Sequence, residues 1–271
     1  MHNGHHVCTV DACNWAEIDS TKVEQLHKCK ARSACTTYKF QADIVERAVW
    51  SGGSTAWSLD RSRTWTHGER YAAISRVRSD GTGVGVEWGD DKDKVNTCLY
   101  DYFASIVANE GCGGIWWDTI SLPMEPDARK KAISNMHLNY ASAEWTVVHD
   151  RYLLDVDWRN DSTHSLALVL SPWFTRGWTA LELAKSKTVK VLFKGDHPNR
   201  PIVKDLDKDI LAADPACSSR AHWIASSLIR RLRKPITGVS DVNNSRPTGY
   251  FMGAGPETHR RLSRGVGCGK C

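Results

Sequence analysis

Ser75 and Arg76 close the apolar run YAAIS, Asp118 closes GIWW, and His149 and Asp150 close EWTVV. Each run is short and apolar enough to be a buried strand. In open α/β sheets, ligands sit beyond the carboxyl ends of the strands, so these residues are expected on one rim. The segment SPWFTRGWTALELAKS adds Arg176, Trp178 and Glu182. On a helix, Trp178 and Glu182 are four apart and share a face. A carboxylate, a guanidinium and an aromatic plane within one or two turns suit a ligand with a flat ring and hydroxyl or phosphate groups, such as a nucleotide. Structural readings stand beside these: Trp178 as a core residue, Glu182 as a solvated acid or partner of Arg176 or Lys185, Asp118 as the cap of a turn.

Thiols form a second group. Cys8, Cys13, Cys29 and Cys35 lie with His27 near the amino terminus. Reduced thiols and an imidazole could supply four zinc ligands. The C-x4-C and C-x5-C spacings are wider than a usual knuckle, so buried or idle thiols remain the alternative. Cys268 and Cys271 form a C-x-x-C in a Gly-rich tail without βαβ context, which does not suggest redox catalysis.

These residues need elements to position them. Asp19 to Lys30 looks helical, and SGGSTAWS reads as a loop. After the strand YAAIS comes a Gly-rich, acidic loop through Asp93. Val95, Leu99, Tyr102, Phe103 and Ile106 then recur at helical spacing. GIWWD is a strand. A helix is predicted from Pro126, whose fixed φ suits the first helical position, with Ile133, Met136 and Tyr140 on one face. EWTVVHD is a strand, 151–162 a loop, and SLALVLSP either a strand or a helix. Residues 173–186 read as helical, and TVKVLFKG as a final β-rich run. Strands separated by helices imply βαβ units and a parallel sheet, with right-handed crossovers placing helices on both faces. A basic amphipathic helix is predicted at 218–233, with Ala221, Ile224, Ala225, Leu228 and Leu232 on its apolar side. The last thirty or so residues, rich in Gly, Ser, Asn and Pro, read as poorly ordered.

The organisation expected is a Cys/His-rich segment (1–60), a three-layer α/β core (61–200) and a basic helical extension with a tail (201–271). The chain has 271 residues, 41% hydrophobic and 25% charged, which is ordinary globular composition. No apolar run reaches the length of a membrane-spanning helix. The start, MHNGHHVCTVDACNW, lacks the pattern of a secretory signal. A cytoplasmic location is therefore expected, and nine cysteines without a signal argue against a disulfide framework. The net charge of +5 does not by itself imply nucleic acid, which is not an expected partner.

Four blocks carry a family resemblance: YAAISRV (71–77), IWWDTISLP (115–123), MHLNYASAEWTVV (136–148) and PWFTRGWTALELA (172–184). In this order they resemble the heterokaryon-incompatibility (HET) domain. SLPM stands where that family has Cys-Ile-Asn-Gln, Leu181 stands where it usually has Gln, and the Trp-Gly of its first block is displaced. The family is similar in fold to TIR domains, which implies a flavodoxin-like sheet. Ser171, Trp178, Glu182 and Leu183 also fit the TIR pattern S-x6-W-C-x-x-E-L, with Thr179 replacing Cys. The resemblance implies a cell-death effector in self/non-self recognition, with Glu182 as the catalytic carboxylate for cleaving NAD+ at the nicotinamide–ribose bond. Trp117 or Trp178 would stack on a ring, Arg76 or Arg176 would meet the diphosphate, and Ser75 and Asp118 would complete the site. NAD+ would be substrate, with no cofactor required. It further implies control by homo-oligomeric assembly or by a nucleotide-switch partner, whose GxxxxGK[ST] signature this chain lacks. A signalling module without enzymatic activity is the alternative.

Overall fold

Short apolar runs bounded by polar turns become a six-stranded mixed sheet in the computed structural model, which describes residues 23–65, 68–83, 94–159, 163–212 and 219–233. Its strands are β2 (Trp57–Ser58), β3 (Tyr71–Arg76), β5 (Gly114–Trp117), β6 (Trp145–His149), β7 (Val189–His197) and β8 (Arg200–Asp205), in the order β2-β5-β3-β6-β7-β8. The four central strands are parallel, and β2 and β8 pair antiparallel at the two edges. A separate two-stranded ribbon joins β1 (Thr37–Lys39) to β4 (Lys94–Asn96).

Numbered among themselves, the parallel strands run 2-1-3-4. The chain steps from β3 to β5 in one direction, then returns past β3 to β6. Because crossovers keep one hand, such a reversal puts the connecting helices on opposite faces. The buried clusters agree. Ala72, Ile74, Ile115, Trp117 and Val147 pack with Leu99, Phe103 and Ile106 of α2 (Thr97–Asn109). Tyr71, Ala73 and Trp116 pack with Met136 and Tyr140 of α5 (Met136–Ser142) on the other face. Val148, Val189, Val191 and Phe193 continue that second layer with Leu168 of α6 (Thr163–Leu170), Leu183 of α7 (Thr179–Lys185) and Ile229 of α8 (Arg220–Arg233). The result is helix, sheet, helix.

Several expectations change. Residues 23–30 are not helical; Asp19 to Lys22 lie outside the described residues, as do Cys8, Cys13 and the tail. The single helix expected from Pro126 divides at Asn135 into α4 (Pro126–Ser134) and α5. Its start is as expected, with the Glu125 carboxylate accepting from the Asp127 and Ala128 amides at 3.1 and 2.6 Å. SLALVLSP resolves as helix α6. The core extends beyond 61–200, since Trp57 and β8 belong to the sheet. β8 is hard to see in sequence because RPIVKD is polar and holds a proline, a combination tolerated at a sheet edge. On α8 the buried residues are Ala225 and Ile229, whereas Ile224 and Leu228 are exposed. α1 (Ala42–Ser51) and the short α3 (Asp118–Ser121) complete the described α-helices. Among the described residues no helix is long and apolar enough to cross a membrane.

Gly81, at φ +77°, turns the chain after β3 and accepts the Leu26 amide at 3.0 Å. A Cβ here would meet the Glu24 carbonyl and lie 2.9 Å from the Leu26 nitrogen. Gly81→Ala is expected to cost about 1–3 kcal/mol, read as a lower midpoint in urea unfolding.

Candidate functional site

The carboxyl end of β3 is the point where the chain's connections diverge, and two buried acids, Glu182 and Asp150, lie there. Side chains alternate along a strand, so Ser75 faces the layer of α5 and α7 while Arg76 faces the other way. Glu182, in the second half of the first turn of α7, points inward and is 2% exposed. The Ser75 hydroxyl donates to Glu182 Oε2. The Tyr140 hydroxyl, from α5, donates to Oε1 at 3.1 Å, and Arg176 Nη2 reaches Oε1 at 3.4 Å. Burial, and then the neighbouring Glu182 charge, pushes the Tyr140 phenol well above its ordinary range, which keeps it a donor. Three donors from three elements thus compensate a charge that would be costly to bury alone.

Trp173 extends the network. Its indole Nε1 donates to Ser75 Oγ at 2.5 Å, while its backbone amide donates to Asp150 Oδ2 at 2.7 Å. The Thr179 hydroxyl donates to the Trp173 carbonyl at 2.5 Å. Trp173, not Trp178, is therefore the tryptophan joined to the acid's network, through Ser75. Trp178 precedes α7 and is 48% exposed. Trp117 is fully buried on the α2 face, its ring 5.1 Å from Phe103, and offers no open platform. Arg176 leaves its buried Nη1 without a hydrogen-bond partner among the described residues.

Arg76 and Asp118 form a separate forked pair on the other face of β3. Nε and Nη2 of Arg76 donate to the two carboxylate oxygens at 2.8 and 3.0 Å. Asp118 Oδ1 also accepts the amide of its neighbour Thr119 at 2.9 Å, but the helix that follows has no side-chain cap bond, so the ion pair and not a capping role is what the structure shows for Asp118. A side chain at Gly83 would collide with the Arg76 guanidinium, so this glycine permits the backbone's close approach. Arg76 is 5% exposed. Asp118→Asn is expected to cost about 3 kcal/mol, because it leaves a buried guanidinium without its counter-charge; thermal unfolding would measure the loss.

His149 ends β6 opposite Arg76. It is buried between Tyr102 and Phe103, and neither ring nitrogen has a hydrogen-bond partner among the described residues. Burial, with the charges of Lys28 and Arg76, pushes the imidazole down to about 3.

The expected residues thus divide. Ser75, Arg176 and Glu182 meet; Arg76 and Asp118 pair next to them; Trp117 and Trp178 stand apart. Trp173 and Tyr140 join the cluster without having been selected as site residues, although the position of Tyr140 on an apolar helical stripe hinted at its direction. A cleft of about 1130 Å³ opens at the opposite, amino-terminal rim, lined in part by Arg47, Glu69, Arg70, Asn139, Glu144 and Lys187, and Glu182 does not line it.

The amino-terminal thiols also rearrange. His27, Cys29 and Cys35 come together with Cys98 from α2, their ligand atoms all within 4.8 Å of one another. This group could hold a metal ion. Cys98 had no local spacing signal, since 63 residues separate it from Cys35.

In comparisons with known proteins, no family model, no curated protein and no solved structure matches the chain.

Proposed function

We propose that this chain is a HET-type, TIR-like effector of cell death that cleaves NAD+ between nicotinamide and ribose, with Glu182 as its catalytic carboxylate. The observation that carries the reading is the Ser75–Glu182 hydrogen bond at the diverging carboxyl rim of a sheet in 2-1-3-4 order. The four parallel strands follow the first part of the flavodoxin-like order, in which ligands sit at this rim, while the antiparallel edge strands β2 and β8 do not. The four sequence blocks supply the family side of the proposal.

The chemistry follows from charge. As the C1′–N bond breaks, its electron pair neutralises the pyridinium, and positive charge develops on the ribose. A nearby carboxylate stabilises that charge, and water adds at C1′ with loss of a proton. The Ser75 and Tyr140 hydroxyls occupy the positions on Glu182 that ribose hydroxyls would take. Because Glu182 is buried with both oxygens engaged, the proposed cleavage requires α7 to draw back from β3 to admit substrate. Arg176, whose buried Nη1 has no hydrogen-bond partner among the described residues, would meet a phosphate oxygen once the site opens. The Cys/His group supplies nothing to this scheme.

A second reading rests on a specific observation: Glu182 is almost fully buried with both oxygens engaged. In that reading the acid is a keystone joining α7, α5 and β3, and the domain signals through self-association with copies or partners. Induced expression with measurement of cellular NAD+ and released nicotinamide separates the two. NAD+ should fall with wild type and hold steady with Glu182→Gln. Toxicity without any NAD+ loss would leave the signalling reading.

A further inference from the structure

Three thiols and an imidazole packed together need an explanation, because neutral thiols are weak hydrogen-bonding groups. Cys35 Sγ lies 3.5 Å from Cys98 Sγ, and His27 Nδ1 lies 3.8 Å from Cys29 Sγ and 3.9 Å from Cys98 Sγ. All three cysteines are free. Zinc–sulfur bonds of about 2.3 Å and zinc–nitrogen bonds of about 2.0–2.1 Å give a tetrahedron with edges of roughly 3.8 Å (S–S) and 3.5 Å (S–N). These three spacings agree with those edges to a few tenths of an ångström, and all six pairs lie within 4.8 Å.

We infer that His27, Cys29, Cys35 and Cys98 bind one Zn²⁺, and that the ion staples residues 23–35 across the carboxyl rim of the α/β core. Soft thiolates with one imidazole select zinc over harder cations. Four protein donors leave no open position, so the site is structural and not hydrolytic.

The surroundings are built for it. Cys98 sits in the first turn of α2, where free amides and the helix dipole favour a negative sulfur. The backbone amide of Lys28 donates to Cys98 Sγ at 3.1 Å. His27 turns Nδ1 toward the sulfurs, and its Nε2 lies 3.2 Å from the buried Asn96 side-chain amide. The atom at that distance is Asn96 Nδ2, which also donates to the Leu26 carbonyl at 3.2 Å, so Asn96 meets both the His27 ring and the segment. Metal on Nδ1 would leave the proton on Nε2 and require the amide to turn its oxygen toward it. The Asn96 backbone amide in turn donates to the Gln25 side chain, so the outer sphere also ties down the segment.

Cross-linking matters here because residues 23–28 have no regular secondary structure. Their links to the core beyond the cluster are individual contacts, among them Gln25 to β4 through the Lys94 carbonyl and the Asn96 amide, Leu26 to the Gly81 carbonyl, Asn199 to the Lys28 carbonyl at 2.8 Å, and the Lys28 ammonium 4.0 Å over the Tyr102 ring. Tyr102 flanks His149. The ion therefore anchors the strip of chain that covers this part of the rim, and the inference stands independently of whether Glu182 cuts NAD+.

Elemental analysis of the purified full chain tests the assignment. One zinc per chain is expected. Cys35→Ser and Cys98→Ser should each reduce it to near zero, while Cys112→Ser, the Cys8→Ser/Cys13→Ser pair and the Cys268→Ser/Cys271→Ser pair should retain it. Because a ligand variant can fail to fold, metal-free wild type is also titrated with Co²⁺. The expected result is the intense visible absorption of tetrahedral cobalt with thiolate charge-transfer bands, displaced by Zn²⁺. Hydrogen exchange at amides 23–35 should speed up when the metal is chelated. Absence of both zinc and the cobalt spectrum overturns the site. Zinc kept by Cys98→Ser but lost from the Cys8/Cys13 pair moves it elsewhere and overturns this ligand set. Unchanged exchange on chelation overturns the staple.

Discussion

Glu182→Gln is expected to lower nicotinamide release by at least 10²–10³-fold while the domain stays folded. The first half follows from the charge that develops on the ribose: an amide offers a dipole where the carboxylate offers a full charge, and loss of one preorganised electrostatic partner commonly has this size. The second half follows from shape. Gln is isosteric, its oxygen can still accept from Ser75 or Tyr140, and only the Arg176 contact loses its ionic character. A stability cost of about 1–3 kcal/mol is expected from imperfect pairing, visible in thermal unfolding. The two measurements must be read together. A variant that has lost release yet unfolds normally supports catalysis. A variant whose release is unchanged, or whose loss of release matches its unfolded fraction at the assay temperature, reduces Glu182 to a packing residue.

The parts of the fold that were readable in sequence share a physical cause. β3, β5 and β6 are buried on both faces, so YAAIS, GIWW and WTVVH are mostly apolar instead of alternating, as central parallel strands tend to be. Pro126 marks the α4 start through its own backbone geometry. Where local pattern and tertiary role separate, the reading fails. The apolar run 165–170 fits a strand or a helix equally well, and only the alignment of β7 beside β6 settles it as helix. Trp178 does stand one helical turn before Glu182, its carbonyl accepting the Glu182 amide at 3.0 Å, yet its side chain is exposed, whereas Trp173 reaches Ser75 from the turns of 171–178. The Ser75–Glu182 contact was legible as a shared rim, since both positions follow from strand ends and one helix. Tyr140 and Cys98 were not legible as ligands of anything. Each lies far along the chain from its partners, and nothing in its own neighbourhood encodes which layer will close over it.

His149→Phe is expected to change how the protein responds to acid. In the folded chain the imidazole is held down at about 3 from an ordinary 6.5, chiefly by burial. The folded state therefore binds fewer protons than the unfolded state between these values, and stability is lost as pH falls from about 6.5 toward 3. A displacement of this size corresponds to roughly 4–5 kcal/mol. Asp80 acts in the opposite sense: burial raises it to about 6, so the folded state takes up its proton first and regains some stability below that pH. Asp80 is only half-buried, which makes its share smaller. His149 thus wins in wild type, and removing it should leave the Asp80 contribution exposed. Phenylalanine suits the site, since the ring already sits edge-on to Tyr102 and Phe103 with no hydrogen-bond partner to lose among the described residues. Urea midpoints measured from pH 7.5 to 4 should show the variant gaining on wild type by up to about 1.4 kcal/mol per pH unit below 6.5. A gap that does not vary with pH would mean that the imidazole is charged or partnered in the folded chain.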